Sequence, residues 1–328
     1  MVAKLKNVFS RVETYRKVMK RHAFIWFAVL LMSGSVFAQS SQLSIRRGIP
    51  YSSAQFPGKK HPQELCFDFY EPAGESDTFR PLVITLFGGG FVLGSRDWPD
   101  MQAWCTRFAE NGYAAASIDY RIMPAEKFSA KGLIRTGYMA AQDVSAAVRF
   151  FKANNAKYHI DTNRIFLLGQ SAGAVAIIHA LYMDEDERPA ETFAKPALPS
   201  MHSLGTEAAK KQSFSVAGAV LLWGTIFNPE MMDADETTPV CFIHGGHDKI
   251  LSAESGYAFS VTGLPYTYGS KVMADRMNAL GINSYELHLL EKEPHAFYFK
   301  YLYMYKLDNR KFDTCWKYAY DFIQKHGK

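Results

Sequence analysis

Cysteine is scarce in this chain: four among 328 residues, at Cys66, Cys105, Cys241 and Cys315. No CxxC or HExxH spacing occurs, so the compact metal motifs those spacings encode are absent, and no metal or other cofactor is expected. Cys66 and Cys241 sit in apolar, strand-like runs, where a small buried thiol is common. Free buried thiols are the expectation for the set, although export would permit disulfides in any of three pairings. Charge is modest as well, at 21% of residues against 48% hydrophobic. That balance excludes global disorder and coiled coil and supports one sizeable core. There is no internal repeat and no low-complexity tract. No GK[ST] follows the glycine-rich stretch at 88–90, which argues against a phosphate loop.

A long apolar run is also missing. Ala23–Met32 is almost wholly apolar but falls short of the roughly 20 residues a membrane span needs. It follows a basic start, Met19-Lys20-Arg21-His22, and precedes Val36-Phe37-Ala38, with small residues where a signal peptidase reads. This is the pattern of a secretory signal cleaved after Ala38, with residues 1–18 an upstream extension; a secreted or periplasmic location is expected. Residues 1–38 hold seven of the 37 Lys and Arg and one of the 32 Asp and Glu, so the rest carries 30 against 31. The apparent basicity belongs to the leader, and nothing points to a nucleic-acid partner.

After residue 60, strand-like and helix-like segments alternate. Glu64–Tyr70, Pro81–Phe87, Tyr113–Tyr120, Arg164–Gly169, Val216–Trp223, Pro239–His244 and Ser284–Leu290 read as strands. Trp98–Asn111, Tyr138–Asn154, Ala172–Tyr182, Tyr268–Leu280 and Asn309–His326 read as helices. This rhythm predicts an α/β fold in one domain over 39–328, with a mostly parallel sheet covered on both faces. Residues 184–213 break it: polar, proline-bearing and without a period, they are either a lid or a surface loop.

Gly169-Gln170-Ser171-Ala172-Gly173 fits G-x-S-x-G. Its setting gives it weight, because the apolar strand RIFLL runs into it and the helix AVAIIHALY leaves it. A serine at so tight a turn projects its oxygen, and crowding by strand and helix demands glycine on either side. Phe87-Gly88-Gly89-Gly90-Phe91 follows another strand and can bring bare backbone N–H groups to a substrate. The N–H groups of Gly89, Gly90 and Ala172 are the expected donors to a developing oxyanion. An acid and a base must then come from later strand ends, in the order Ser, Asp, His. Asp248 follows PVCFIH within HGGHD, and His295 follows the strand ending at Leu290. His295 is the expected base and Asp248 the group that orients it. His244 and His247 precede the acid and are read as local hydrogen-bonding residues. Glu291 and Glu293 lie too near His295 to come from a separate strand. Asp143 is read as a structural anion.

These segments together resemble the α/β-hydrolase superfamily, and within it the bacterial carboxylesterases and hormone-sensitive-lipase-like esterases. FGGGF at 87–91, SIDYRI at 117–122, GQSAGA at 169–174, HGGHDKIL at 244–251 and EPHAF at 293–297 carry the resemblance, which runs from about Glu64 to the C-terminus. One position departs: many such esterases have His before the three glycines, and Phe87 stands here. The resemblance implies a serine hydrolase with Ser171, Asp248 and His295 in their usual places. It also implies a carboxylic ester as substrate, either a small molecule or carbohydrate-linked, such as an acetyl or feruloyl ester of plant polysaccharide. A serine peptidase of the same fold and a non-catalytic binding module are the rival readings. Aromatics at 297–299, 301, 303 and 305 either pack the core or line a pocket, and the loop at 263–268 can border the site.

Overall fold

The computed structural model describes residues 42–74, 78–300 and 306–328. The expected signal segment and Tyr301, Tyr303 and Tyr305 lie outside the described residues. Among the described residues, no helix is long and apolar enough to cross a membrane.

Eleven strands are described: β1 (Leu43–Ala54), β2 (Gln63–Pro72), β3 (Arg80–Leu86), β4 (Ala114–Ile118), β5 (Ile160–Gln170), β6 (Gly218–Leu222), β7 (Thr225–Ile226), β8 (Val240–Gly245), β9 (Ser255–Tyr257), β10 (Tyr266–Gly269) and β11 (Tyr285–Leu290). The longer helices are α1 (Pro99–Glu110), α2 (Ala130–Ala153), α3 (Ala172–Tyr182), α4 (Ser270–Ala279) and α5 (Asn309–His326). Eight strands form one sheet in the order β1-β2-β4-β3-β5-β6-β8-β11. β1 and β2 are antiparallel to their neighbours, and every pairing from β4 through β11 is parallel. This is the α/β-hydrolase fold. The central strands β4, β6 and β8 are buried at every position, as expected of parallel strands covered on both faces.

The structure differs from the sequence reading at four points. β1 was not anticipated: it carries Pro50 and two arginines and is largely exposed, which an edge strand tolerates and a periodicity search passes over. α2 begins at Ala130 rather than Tyr138, because Ser129 caps it by accepting from the Gly132 N–H at 3.1 Å. Tyr268 belongs to β10 rather than to the following helix, and β7, β10 and β9 make a second, three-stranded sheet. Cys66 is partly exposed, with its thiol 3.6 Å from Glu64, while Cys105, Cys241 and Cys315 are buried free thiols.

The segment 184–213 runs along α2. Side chains of that helix satisfy its backbone carbonyls: Arg135 donates to Ala194 and Pro196, Gln142 to Pro199 and Ser200, and Arg149 to Leu204. Polar side chains thus hold a stretch that has no apolar period of its own.

Because β3, β5, β8 and β11 run parallel, their C-terminal ends share one rim of the sheet. Ser171, Asp248, His295 and the glycine arch all follow those ends, so the topology itself gathers them.

Candidate active site

Ser171 stands at the junction of β5 and α3 with φ 51° and ψ −120°, a left-handed conformation that a side chain adopts only under constraint. The constraint is packing. A Cβ on Gly173 would lie 2.6 Å from the carbonyl oxygens of Leu86 and Phe87, so only glycine lets α3 approach β3 this closely. The Ser171 N–H donates to Leu222 O at 2.9 Å, which ties the turn to β6. The first helical bond of α3 is Val175 N–H to Ser171 O, so the Ala172 N–H lies ahead of the intrahelical ladder.

Ser171 Oγ lies 2.9 Å from His295 Nε2, and His295 Nδ1 lies 2.6 Å from Asp248 Oδ2. All three side chains are buried, Ser171 at 3% exposure, His295 at 5% and Asp248 at 6%. The other carboxylate oxygen of Asp248 accepts from the N–H groups of Ile250 at 2.8 Å and Leu251 at 2.9 Å. Burial alone would raise the Asp248 carboxyl. His295, by its charge and hydrogen bond, and then His244, outweigh burial and hold the carboxyl well below the usual carboxylate range.

The loops of acid and base are zipped together. Gly246 N–H donates to Leu290 O at 2.9 Å and His247 N–H to Glu293 O at 3.0 Å, and a Cβ on Gly245 would clash with the Glu293 carbonyl. This explains the paired glycines of HGGHD. His247 is exposed and outside the relay. His244 is buried behind it: Nε2 bonds to Leu251 O at 2.9 Å and approaches Asp248 Oδ2 at 3.3 Å, while Nδ1 meets Ser270 Oγ at 2.9 Å. Glu293 pairs with Lys311, and Asp143 with Arg121.

The glycine arch turns at Gly89 and Gly90, with φ 127° and 61°. Gly90 and Ala172 line a cavity of about 40 Å³ beside Ser171, and Gly89 precedes Gly90 in the same arch. The cavity walls are mostly apolar, with Phe91, Leu133, Val175, Phe227 and Phe259 among them, and Pro265 and Thr267 bring in the 263–268 loop. None of residues 184–213 lines it. Phe87, the departure before the glycines, stacks on Tyr120 at 4.3 Å, and Tyr120 donates to the Phe87 carbonyl at 2.7 Å. The arch is therefore held from behind by aromatic packing. Phe297 and Tyr298 are buried against Trp223 and belong to the core, not to the cavity.

Sequence reasoning missed several supporting groups. Trp223 lies edge-on to His295 at 6.0 Å. Gln170 donates to Asp100 and accepts from the Tyr298 hydroxyl, and Trp104 donates to that hydroxyl at 3.3 Å. His179 accepts the Phe227 N–H at 3.1 Å and packs on the Phe227 ring at 4.2 Å, which fixes one wall of the cavity.

Residues 67–234 match the family model BD-FAE. The chain belongs to the BD-FAE family. It is 31% identical over 165 residues to a probable isoprenylcysteine alpha-carbonyl methylesterase of Arabidopsis thaliana, covering 49% of this chain and 34% of that one. It is 24% identical over 230 residues to Lipase 1 of Geotrichum candidum, covering 64% of this chain and 38% of that one. The BD-FAE chain thus spans little more than a third of the length of these curated relatives. Among solved structures, a thermophilic esterase of Thermogutta terrifontis superposes with TM-score 0.55 at 19% identity, covering 81% of this chain and 89% of that one. The same enzyme phosphorylated by paraoxon superposes with TM-score 0.57 at 18% identity, over 85% and 95% of the two chains. These likenesses support the α/β-hydrolase fold.

Proposed function

We propose that this chain is a serine carboxylic-ester hydrolase that works through an acyl-enzyme. The observation that carries the reading is the unbroken relay from Ser171 Oγ through His295 to Asp248, with the serine on a strained turn at the mouth of an apolar cavity. Ser171 Oγ attacks the ester carbonyl and its proton passes to His295 Nε2. Asp248 holds the Nδ1 proton and stabilises the imidazolium. The N–H groups of Gly89, Gly90 and Ala172 receive the oxyanion, each such donor being worth about 2.7–4 kcal/mol of barrier in comparable sites. His295 then protonates the leaving alkoxide, and water, activated by the same imidazole, releases the acid.

The apolar walls beside Ser171, with Phe91, Leu133, Val175, Phe227 and Phe259 among them, suit the acyl side of an ester, and a short acyl group is our reading. The alcohol side is assigned to a carbohydrate by family resemblance alone. A secreted or periplasmic site of action rests on the basic-apolar-small pattern of residues 19–38, and the N-terminal sequence of protein recovered from outside the cytoplasm tests it.

The deciding experiment is hydrolysis of p-nitrophenyl acetate by the purified chain and by Ser171→Ala. Turnover by the native chain, lost by about 10⁴-fold or more in a variant with unchanged circular dichroism, is expected. A variant as active as the native chain removes Ser171 from the mechanism. Faster cleavage of peptide anilides than of the ester would favour a peptidase, and no turnover of any short-chain ester by folded protein would favour a binding module.

A further inference from the structure

β8 and β11 bring three donor side chains together beneath α5, away from the ester site. Cys241 pairs in register with Glu286, and Ile243 with His288, so in these parallel strands the three donors share one face of the sheet. Their donor atoms all lie within 4.8 Å of one another. Glu286 Oε2 and His288 Nε2 are 3.4 Å apart. The His288 side chain is partly exposed, and its Nε2 has no hydrogen bond closer than this approach to Glu286. Tyr318 of α5 stacks on the imidazole at 3.8 Å and 10°, fixing its plane. Lys325 binds the other carboxylate oxygen, Oε1, at 2.9 Å, which leaves Oε2 facing the imidazole. The stack on Tyr318 and the pair with Lys325 orient the imidazole and the carboxylate toward the buried thiol, and both side chains are partly exposed, so water can reach the cluster.

We propose that Cys241, Glu286 and His288 form a zinc(II) site with a fourth position for water. One sulfur, one nitrogen and one oxygen donor suit zinc, whereas a thiolate disfavours magnesium or calcium. Nitrogen and oxygen ligands about 2.0–2.1 Å from a tetrahedral zinc sit about 3.3 Å apart, close to the observed spacing of Glu286 and His288. Burial, and then the Glu286 charge, raise the Cys241 thiol. Zinc supplies the compensating charge: its bond to sulfur forms as the thiol proton leaves to solvent. The site clamps the edge strand β11 to β8 and so acts on stability rather than on ester chemistry.

The test uses the full chain, stripped with a chelator and titrated with zinc by calorimetry and with cobalt(II) by absorption. One zinc per chain is expected, with a near-ultraviolet thiolate-to-cobalt band and a zinc-dependent rise in melting temperature. Cys241→Ser should abolish the band, and His288→Gln should weaken zinc binding at least tenfold. Both variants are checked for fold by circular dichroism, and Lys317→Gln, on the same helix but paired with Asp321 rather than with a donor, serves as a variant that keeps the band. Absence of binding at micromolar zinc, cobalt binding without the thiolate band, or unchanged zinc affinity in Cys241→Ser and His288→Gln would overturn the site.

Discussion

The Tyr298 hydroxyl donates a hydrogen bond to Gln170, and so joins the loop that carries His295 to the turn that carries Ser171. The same Gln170 amide donates to Asp100, at the start of α1. Base and nucleophile are thus held in register by a buried polar bridge as well as by their own contact. Loss of the Tyr298 hydroxyl leaves the Gln170 oxygen without that donor, at about 1–1.5 kcal/mol. Tyr298→Phe should therefore lower kcat by about tenfold on p-nitrophenyl acetate with KM little changed. A variant with native kcat would show that the bridge is dispensable for alignment.

Asp100 is fully buried, and burial pushes its carboxyl up to about 6 despite the hydrogen bonds from Gln170 and the backbone. A carboxyl raised on folding favours the native state most fully below its unfolded value, and that contribution is lost as pH rises through the folded one. From 3.8 to about 6 the shift corresponds to about 3 kcal/mol, lost between those pH values. Asp100→Asn keeps the shape and an acceptor for Gln170 but removes the titration. Urea unfolding at pH 4 and pH 8 should show the native chain losing about 2.4 kcal/mol relative to the variant across that interval. Parallel profiles would mean that Asp100 keeps an ordinary affinity for protons.

Asp248 runs the other way. Its carboxyl is depressed, so its contribution to stability is present above the unfolded value of about 4 and is lost only as pH falls through a lower folded value. Asp248 therefore stays ionised well into the acid range, and the circular dichroism of the native chain should not change through loss of its charge between about pH 7 and 5. Asp248→Asn, which cannot hold the tautomer, should reduce kcat by about 10⁴-fold. A loss of less than tenfold would remove Asp248 from the relay.

The strands that carry Ser171, Asp248 and His295 were legible because each is a short apolar run ended by glycine or proline, and a parallel sheet places such ends on one rim. Residues 170, 100 and 298 were not, because their contacts span separations of 70 and 128 in sequence and leave no local period. β1 escaped because Pro50 and its exposed arginines suit an edge strand and mask its alternation. Glu286 and His288 sit in a strand whose apolar residues were easily seen, but the cysteine they approach belongs to another strand. Segment 184–213 left lid and loop equally open, since what holds it are side chains of α2.

Asp143, read as structural, makes that case in full. Its carboxylate accepts from the Arg121 backbone N–H at 2.7 Å and from the guanidinium at 2.8 Å, with both side chains buried. Removing one partner strands the other charge in the interior, which typically costs about 3–5 kcal/mol. Asp143→Ala should lower unfolding free energy by that amount, measured in urea. A cost below about 1 kcal/mol would mean that Arg121 finds water or another acceptor.

Phe227 bears on substrate choice. Its ring forms one wall of the cavity beside Ser171, and its N–H is anchored on His179. Burial holds that imidazole down to about 4, so it stays neutral and able to accept over the working range. An acyl chain seated beside Ser171 extends toward the Phe227 ring, and each added methylene packs closer to it. The native chain should prefer p-nitrophenyl acetate to the butyrate by about tenfold or more in kcat/KM, since a misfitted methylene is worth about 1–3 kcal/mol in such pockets. Phe227→Ala removes the wall and leaves Ser171, Asp248 and His295 untouched. It should reverse the order, raising butyrate relative to acetate by at least about tenfold. If the variant loses activity on both esters equally, the wall supports the fold instead, and the acyl group lies elsewhere.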